Sequence, residues 1–133
     1  MSHNPKALSA TLRLPFEEAV DAVRAALAEQ GFGVLTEIDV RETMKAKLDV
    51  DLPAYTILGA CNPPLAYRGL TIEPSLGLLL PCNVVVREVA GGCQVDAVDP
   101  AVMVDFVGSA EMQLVAAEAT TRLRAVIEAL AGR

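Results

Sequence analysis

The sequence is poor in aromatic and in positively charged residues. Its 133 residues include no Trp, two Tyr and three Phe, and 11 Lys and Arg stand against 17 Asp and Glu, for a net charge of −6. Few aromatic rings leave little surface on which bases could stack, and the negative charge repels polyphosphates. We therefore expect neither nucleic acid nor an anionic membrane among the partners of this protein.

Histidine and long hydrophobic runs are also scarce. The single histidine is His3, and we expect residues 1–5 to form a mobile tail in which it is exposed. The apolar runs are much shorter than the roughly 20 residues that span a bilayer, and the first residues lack the apolar segment of a signal peptide. We expect a cytoplasmic protein whose cysteines, Cys61, Cys82 and Cys93, are free thiols.

The motifs of several common protein classes are missing. The chain contains no G-x-S-x-G, P-loop or G-x-G-x-x-G motif, and its one histidine makes a Cys/His dyad implausible. The 20 residues between Cys61 and Cys82 do not match the short spacing of zinc ligands. These observations argue against the usual hydrolase, NTPase, dinucleotide-binding and zinc-binding machinery.

What the chain does contain is enough aliphatic sequence for a large core, since 53% of its residues are hydrophobic. Its hydrophobic patterns predict a single α+β domain over residues 1–133, of order β-α-β-α-β-α-β-β-α. The sheet is expected to be mainly antiparallel with its helices chiefly on one face. The predicted strands are residues 7–14, 32–38, 54–60, 83–89 and 93–98, and the predicted helices are residues 15–30, 39–48, 62–72 and 110–131, with a further helical turn possible at 101–107.

The pair Gly91-Gly92 predicts a two-residue hairpin loop between the fourth and fifth strands. Such a loop would place Arg87 directly opposite Asp96. Because side chains alternate along a strand, Cys82 and Glu88 are predicted to share the apolar face of the hairpin.

Cys61 stands at the junction between a predicted strand and a predicted helix. Asn62 is suited to cap that helix and Pro63 to be its first residue. A helix start stabilises a thiolate, so Cys61 is either a reactive thiol or a small residue buried beneath the helix. Asn62 is either the helix cap or a ligand-binding amide. Tyr67 and Arg68, further along the helix, either border a pocket near Cys61 or form ordinary surface.

A second Cys-Asn pair, Cys82 and Asn83, begins the fourth predicted strand. The third and fourth strands could bring Cys61 and Cys82 together at one edge of the sheet, and two thiolates would suit a soft metal ion. Asn83 either satisfies backbone groups at the strand end or presents its amide to a ligand. Glu88 is either an edge carboxylate in water or part of a cleft.

The segments LGACNPPLAYRGL and LGLLLPCNVVVRE resemble the signature of the domain of unknown function 302 family of bacterial and archaeal proteins. That signature is a strand ending in Cys-Asn-Pro, a short helix, and Leu-Leu-Pro-Cys-Asn before a valine-rich strand and an acidic residue. The resemblance covers residues 6–130 and implies a compact α+β fold, a homodimer and no established activity. The matching positions are Cys61, Asn62, Pro63, Leu80, Pro81, Cys82, Asn83 and Glu88.

Three functional hypotheses follow. The favoured one is a homodimeric binding protein that holds a small molecule or a soft metal ion at a cleft. The metal ligands are unknown, and Cys61 and Cys82 are expected to be ligands only if a soft metal ion binds. The candidate site residues are Cys61, Asn62, Cys82, Asn83 and Glu88. The second hypothesis is an enzyme that uses a Cys61 thiolate, with Glu88 as acid or base. The third is a non-catalytic interaction domain in which both cysteines belong to the core.

Overall fold

A five-stranded antiparallel sheet is the frame of the fold, in a computed structural model that describes residues 4–133. His3 and the first part of the expected tail lie outside the described residues. The strands are β1 (Ala7–Leu12), β2 (Gly33–Asp39), β3 (Tyr55–Cys61), β4 (Cys82–Val89) and β5 (Gly92–Val98). They pair in the order β1-β5-β4-β3-β2, so β4 lies at the centre and β1 and β2 form the edges.

Five α-helices connect or follow the strands. They are α1 (Phe16–Glu29), α2 (Val40–Leu48), α3 (Pro63–Ile72), α4 (Val102–Phe106) and α5 (Ala110–Leu130), and a 3₁₀ helix (Pro74–Leu79) follows α3. This order confirms the predicted α+β fold, and α4 occupies the apolar run that the sequence left ambiguous. None of the helices in residues 4–133 combines the length and the apolar character of a membrane-spanning segment.

Helices α1 and α5 pack on one face of the sheet, as the sequence predicted. Apolar side chains from both helices and from the strands form one buried cluster, which includes Leu12, Val23, Leu27, Leu58, Val84, Val86, Val95, Leu123, Val126 and Leu130. Fully burying a Leu or Val side chain contributes about 1.5–3 kcal/mol, so this cluster is the main source of stability. A smaller cluster joins the 3₁₀ helix, α4 and α5 through Leu76, Met103, Met112, Val115 and Ala116.

The β4–β5 hairpin differs from the prediction. Its loop is Ala90–Gly91, because Gly92 already belongs to β5, and Arg87 lies opposite Gln94 instead of Asp96. A Cβ atom on Gly92 would collide with the carbonyl oxygen of Leu12, so this glycine allows β1 to approach closely and is not part of the turn. The register differs by two positions, which leaves each side chain on its predicted face.

Gly59, near the Cys61 end of the β3–β4 pairing, lies beside the start of β4. It is paired with Asn83 in β4 and with Thr36 in β2. A Cβ atom on Gly59 would lie 2.8 Å from the Pro81 Cγ atom and still closer to the Thr36 hydroxyl. The absence of a side chain therefore lets the proline ring pack against the sheet directly before Cys82.

We predict that Gly59→Ala destabilises the protein by about 1–3 kcal/mol, because the added methyl group overpacks a buried site. Gly33→Ala is the matched control, since a Cβ atom at this position of β2 would meet nothing within 4 Å. Urea denaturation of both variants and the wild type would measure the difference. Equal stability losses in the two variants would contradict the steric explanation.

Candidate functional site

Cys61 and Cys82 occupy neighbouring strand ends, as the sequence suggested. Cys61 is the last residue of β3 and Cys82 the first of β4. In the antiparallel ladder Ala60 lies directly opposite Cys82, so Cys61 is one residue beyond the partner of Cys82. Both cysteines are free and half-buried. The fold therefore brings the two thiol-bearing residues to the same edge of the same strand pair.

The two cysteines line a common cavity between the sheet, α3, α4 and α5. Its free volume is about 20 Å³, which is room for roughly one water molecule or one ion. Most of the lining side chains are apolar. The ten lining residues are Phe32, Ala60, Cys61, Asn62, Leu65, Ala66, Leu80, Cys82, Met103 and Ala119.

Asn62 holds the start of α3 against the end of α1. Its side-chain oxygen accepts a hydrogen bond from the Leu65 amide at 3.3 Å, which is the predicted N-cap. Its side-chain nitrogen donates to the Gln30 carbonyl at 3.3 Å, and Arg122 donates to the same carbonyl at 3.4 Å. Because both ends of the buried amide bind backbone groups, the geometry favours a positioning role for Asn62.

Asn83 and Glu88 are not brought to this cavity. Asn83 is exposed, and alternation along β4 directs it to the face opposite that of Cys82. It lines a separate surface groove with Leu79 and Val98. Glu88 is six residues from Cys82 along the strand, a distance of roughly 20 Å. It is exposed and lines a different depression beside Arg13, at the hairpin end of the sheet.

Tyr67 and Arg68 lie away from the cysteines as well. Together with Glu111 and Leu114 they line a groove between α3 and α5. The Arg68 guanidinium pairs with the Glu118 carboxylate at 3.2 Å. These residues therefore form part of the outer helical surface and do not border the cysteine cavity.

Met103 is a cavity residue that the sequence did not indicate. It lies in the short helix α4, is 5% exposed, and lines the cavity together with both cysteines. No spacing pattern relates it to Cys61 or Cys82, because α4 reaches the strand ends only through tertiary packing. The one available signal was its thioether, a soft ligand, within an apolar run of undecided structure.

Comparisons with known proteins identify the family. The family model described as domain of unknown function DUF302 matches residues 8–130. The chain belongs to this family. The fold is similar to that of the uncharacterized conserved DUF302 protein from Bacillus stearothermophilus, a crystal structure with a TM-score of 0.86 and 26% sequence identity that covers 96% of this chain and 99% of that chain. No curated protein matches the chain.

The family match confirms the resemblance that was based on the two Cys-Asn segments, and the matched residues include both segments. The similar structure covers nearly the whole length of both chains, so the sheet order and the helices that surround the cavity belong to a shared fold. Neither comparison names a reaction or a ligand. What the site does must therefore be argued from its own chemistry.

The cavity makes Cys82 a weakly acidic thiol. Burial raises the pKa of Cys82 to about 11, and a thiolate at nearby Cys61 would raise it further through like-charge repulsion. Burial and, secondarily, the Glu88 carboxylate also raise the pKa of Cys93, which is fully buried at the hairpin end of the sheet. At neutral pH Cys82 is thus a neutral thiol, and a ligand that binds its sulfur as a thiolate must displace a proton.

The raised pKa of Cys82 predicts a loss of stability at alkaline pH. Below pH 9, the pKa of an unfolded thiol, the neutral Cys82 thiol makes its full contribution to the free energy of unfolding. This contribution is lost as the pH rises toward about 11. The difference of two units between the folded and unfolded pKa values corresponds to about 3 kcal/mol of stability. Urea denaturation at pH 8 and pH 10.5 should show a shallower decline for Cys82→Ala than for the wild type. Parallel declines would contradict the assignment.

Proposed function

We propose that this member of the family is a binding protein whose ligand, a soft metal ion or a small molecule, is held at the Cys61–Cys82 cavity. The observation that carries the proposal is the convergence of two thiol-bearing residues from adjacent strands on one apolar cavity. Thiolates are the preferred protein ligands of soft metal ions. The volume of about 20 Å³ favours an ion or a very small molecule over a metabolite, unless α3 or α4 moves.

The placement of Glu88 supports binding over thiol catalysis. The enzyme hypothesis needs an acid or base within hydrogen-bond reach of the Cys61 sulfur or one water away. Glu88 lies at the other end of β4, and the side-chain amide of Asn62 is engaged with backbone groups. A purely structural role for the cysteines is less favoured, because Cys61 and Cys82 are half-buried at a cavity whereas Cys93 is fully buried in the core.

Native mass spectrometry of protein purified under reducing, anaerobic conditions would test this function. We expect the wild type to retain a ligand mass and Cys82→Ala to lose it, because that variant removes one of the two thiols. Cys93→Ala is the matched control, since Cys93 lies outside the cavity, and it should keep the ligand. A bound mass that persists in Cys82→Ala, or no bound mass in any sample, would contradict the proposal.

We also propose that the protein is a homodimer that works in the cytoplasm, where free thiols stay reduced. Three apolar side chains on the sheet face opposite α1 and α5 support a dimer. Val85, Ile57 and Ile38 form a row across β4, β3 and β2, in which each residue is directly opposite the next. Ile38 is exposed and the other two are half-buried, and a second copy could cover this row, which we call the open face.

The dimer is tested by Val85→Lys, which places a charge at the centre of the open face. We expect the wild type to have a dimer mass in native mass spectrometry and Val85→Lys to shift toward the monomer, because an unpaired charge at an interface is costly. Leu114→Lys, at an exposed position of α5, is the control and should remain dimeric. A dimer that survives Val85→Lys with an unchanged circular dichroism spectrum would exclude this face as the interface.

A further inference from the structure

Asn83 has no role in the cysteine cavity, although it belongs to the second Cys-Asn pair. It is exposed, and within residues 4–133 its side chain forms no hydrogen bond. The amide therefore does not satisfy backbone groups at the strand end, which was one of the two roles that the sequence allowed. The other role, in which the amide is presented to a ligand, depends on what surrounds it.

The register of the sheet determines which residues lie beside Asn83. On one side it is paired with Gly59 of β3, which has no side chain. On the other side Val84 is paired with Ala97, so Val98 lies next to Asn83 on β5. Because Val84 and Ala97 point into the core, Asn83 and Val98 both point to the face of the sheet opposite α1 and α5.

A groove lies over Asn83 and Val98. Its other walls come from the 3₁₀ helix, from the two residues before β4 and from Val102, the first residue of α4. The volume of the groove is about 280 Å³. One water molecule occupies about 30 Å³ in the liquid, and ligand pockets begin at about 300 Å³. The groove is therefore large enough for a compact small molecule.

Among the described residues that line the groove, Asn83 alone has a polar side chain. The other six are leucine, proline or valine. An amide offers two donors and an acceptor, so a second amide can pair with it through both kinds of group at once. A charged ligand would give up its hydration here without an ionic partner, and the net charge of −6 further disfavours an anion.

We propose that this groove binds a small uncharged ligand that has an apolar body and one amide group, which pairs with the Asn83 side chain. Ligand pockets are mostly apolar, with a few polar groups that fix the orientation of the ligand. The site is separate from the cysteine cavity, because Cys82 points to the other face of β4 and does not line the groove. It assigns a chemical task to Asn83, which the cysteine cavity leaves unused.

The groove also lies beside the row of residues that we assign to the dimer interface. Asn83 precedes Val85 by two residues on β4, a distance of roughly 7 Å. None of the three residues of that row lines the groove. The walls formed by the 3₁₀ helix and α4 lie outside the sheet. The two surfaces are therefore neighbours with different residues.

The alternative is that the groove is only a gap between packed elements and that water hydrates Asn83. Leu78 helps to separate the two cases, because this large apolar side chain is 78% exposed and lines the groove. As a wall of a binding site it contributes apolar contact, so Leu78→Ala should weaken ligand binding about threefold or more. Because Leu78 is exposed, the substitution should change stability little.

The experiment is a titration of isotope-labelled protein, followed by two-dimensional NMR, with three probes of nearly the same shape. They are cyclohexanecarboxamide, which is neutral, cyclohexanecarboxylate, which is an anion, and cyclohexylmethylammonium, which is a cation. We expect the amide to cause saturable shifts of the Asn83 side-chain NH₂ signals and of the Val98 and Val102 backbone amides. The two charged probes should bind at least about tenfold more weakly, because the groove offers them no ionic partner.

Variants of Asn83 test the pairing directly. Asn83→Ala should weaken binding of the neutral amide about three- to tenfold, the loss typical of a neutral hydrogen bond. Asn83→Asp keeps the size of the side chain but adds a negative charge, so it should reverse the order of the probes and favour the ammonium. Gln113→Ala is the matched control and should match the wild type, since it removes an exposed amide of α5 that lies outside the groove.

Several results would overturn this proposal. Equal affinity for the neutral amide in Asn83→Ala and the wild type, or equal affinity of the wild type for the amide and the carboxylate, would mean that the pairing does not form. Shifts that do not saturate, or that are as large around exposed Leu114 on α5, would indicate general contact with apolar surface. Cys82→Ala should leave the titration unchanged, and a loss of binding there would assign the probe to the cysteine cavity.

Discussion

The pairing of β3 with β4 is the constraint on which the candidate site depends. It places Ala60 opposite Cys82 and thereby brings the end of one strand and the start of the next to a single edge. A slip of one residue would move Cys82 to the other face of the sheet. The register is held by the buried pairs Leu58–Val84 and Thr56–Val86, and the contact of the Pro81 ring with Gly59 fixes the entry into β4.

The helices depend on that same edge. α3 starts directly after Cys61 because Asn62 caps it, and the Asn62 amide also binds the end of α1 through Gln30. α4 and the 3₁₀ helix pack against α5 in a small cluster of their own, which brings Met103 to the cavity. The cavity is thus enclosed by elements that meet at the strand ends, and its small size follows from close packing on each side.

Local signals in the sequence were sufficient for the elements, and tertiary contacts decided the rest. The cap at Asn62, the apolar spacing of α5 and the strand that ends at Cys61 depend on residues near in sequence, and the structure confirms them. The role of Gly92 was predicted wrongly. A glycine is needed there because the Leu12 carbonyl of β1, about 80 residues away in the sequence, approaches it closely. A glycine that permits a close approach and a glycine that permits a turn look identical in a sequence.

For the candidate site, too, local sequence signals predicted one part and tertiary contacts decided the other. Sequence position and strand order were enough to bring Cys61 and Cys82 together, since in adjacent antiparallel strands the end of one lies beside the start of the other. They were not enough to exclude Glu88 from the site. Alternation correctly placed Glu88 on the same face of β4 as Cys82, but each residue along the strand adds about 3.3 Å to the distance between them. Met103 could not be assigned to the site at all, because its placement depends on how α4 packs against α5.

The acidity of Cys82 relates the fold to the choice of ligand. An apolar cavity raises the pKa of this thiol to about 11, so at neutral pH the sulfur is a poor nucleophile and carries no charge that would attract a hard cation. A ligand gains a thiolate there only if its bond to sulfur is strong enough to offset removal of the proton and burial of the charge. A soft metal ion of the proposed kind would meet that condition, since a bound cation neutralises part of the charge that burial makes costly. The packing that keeps the Cys82 thiol neutral is therefore the same packing that would make the proposed site favour a soft ligand.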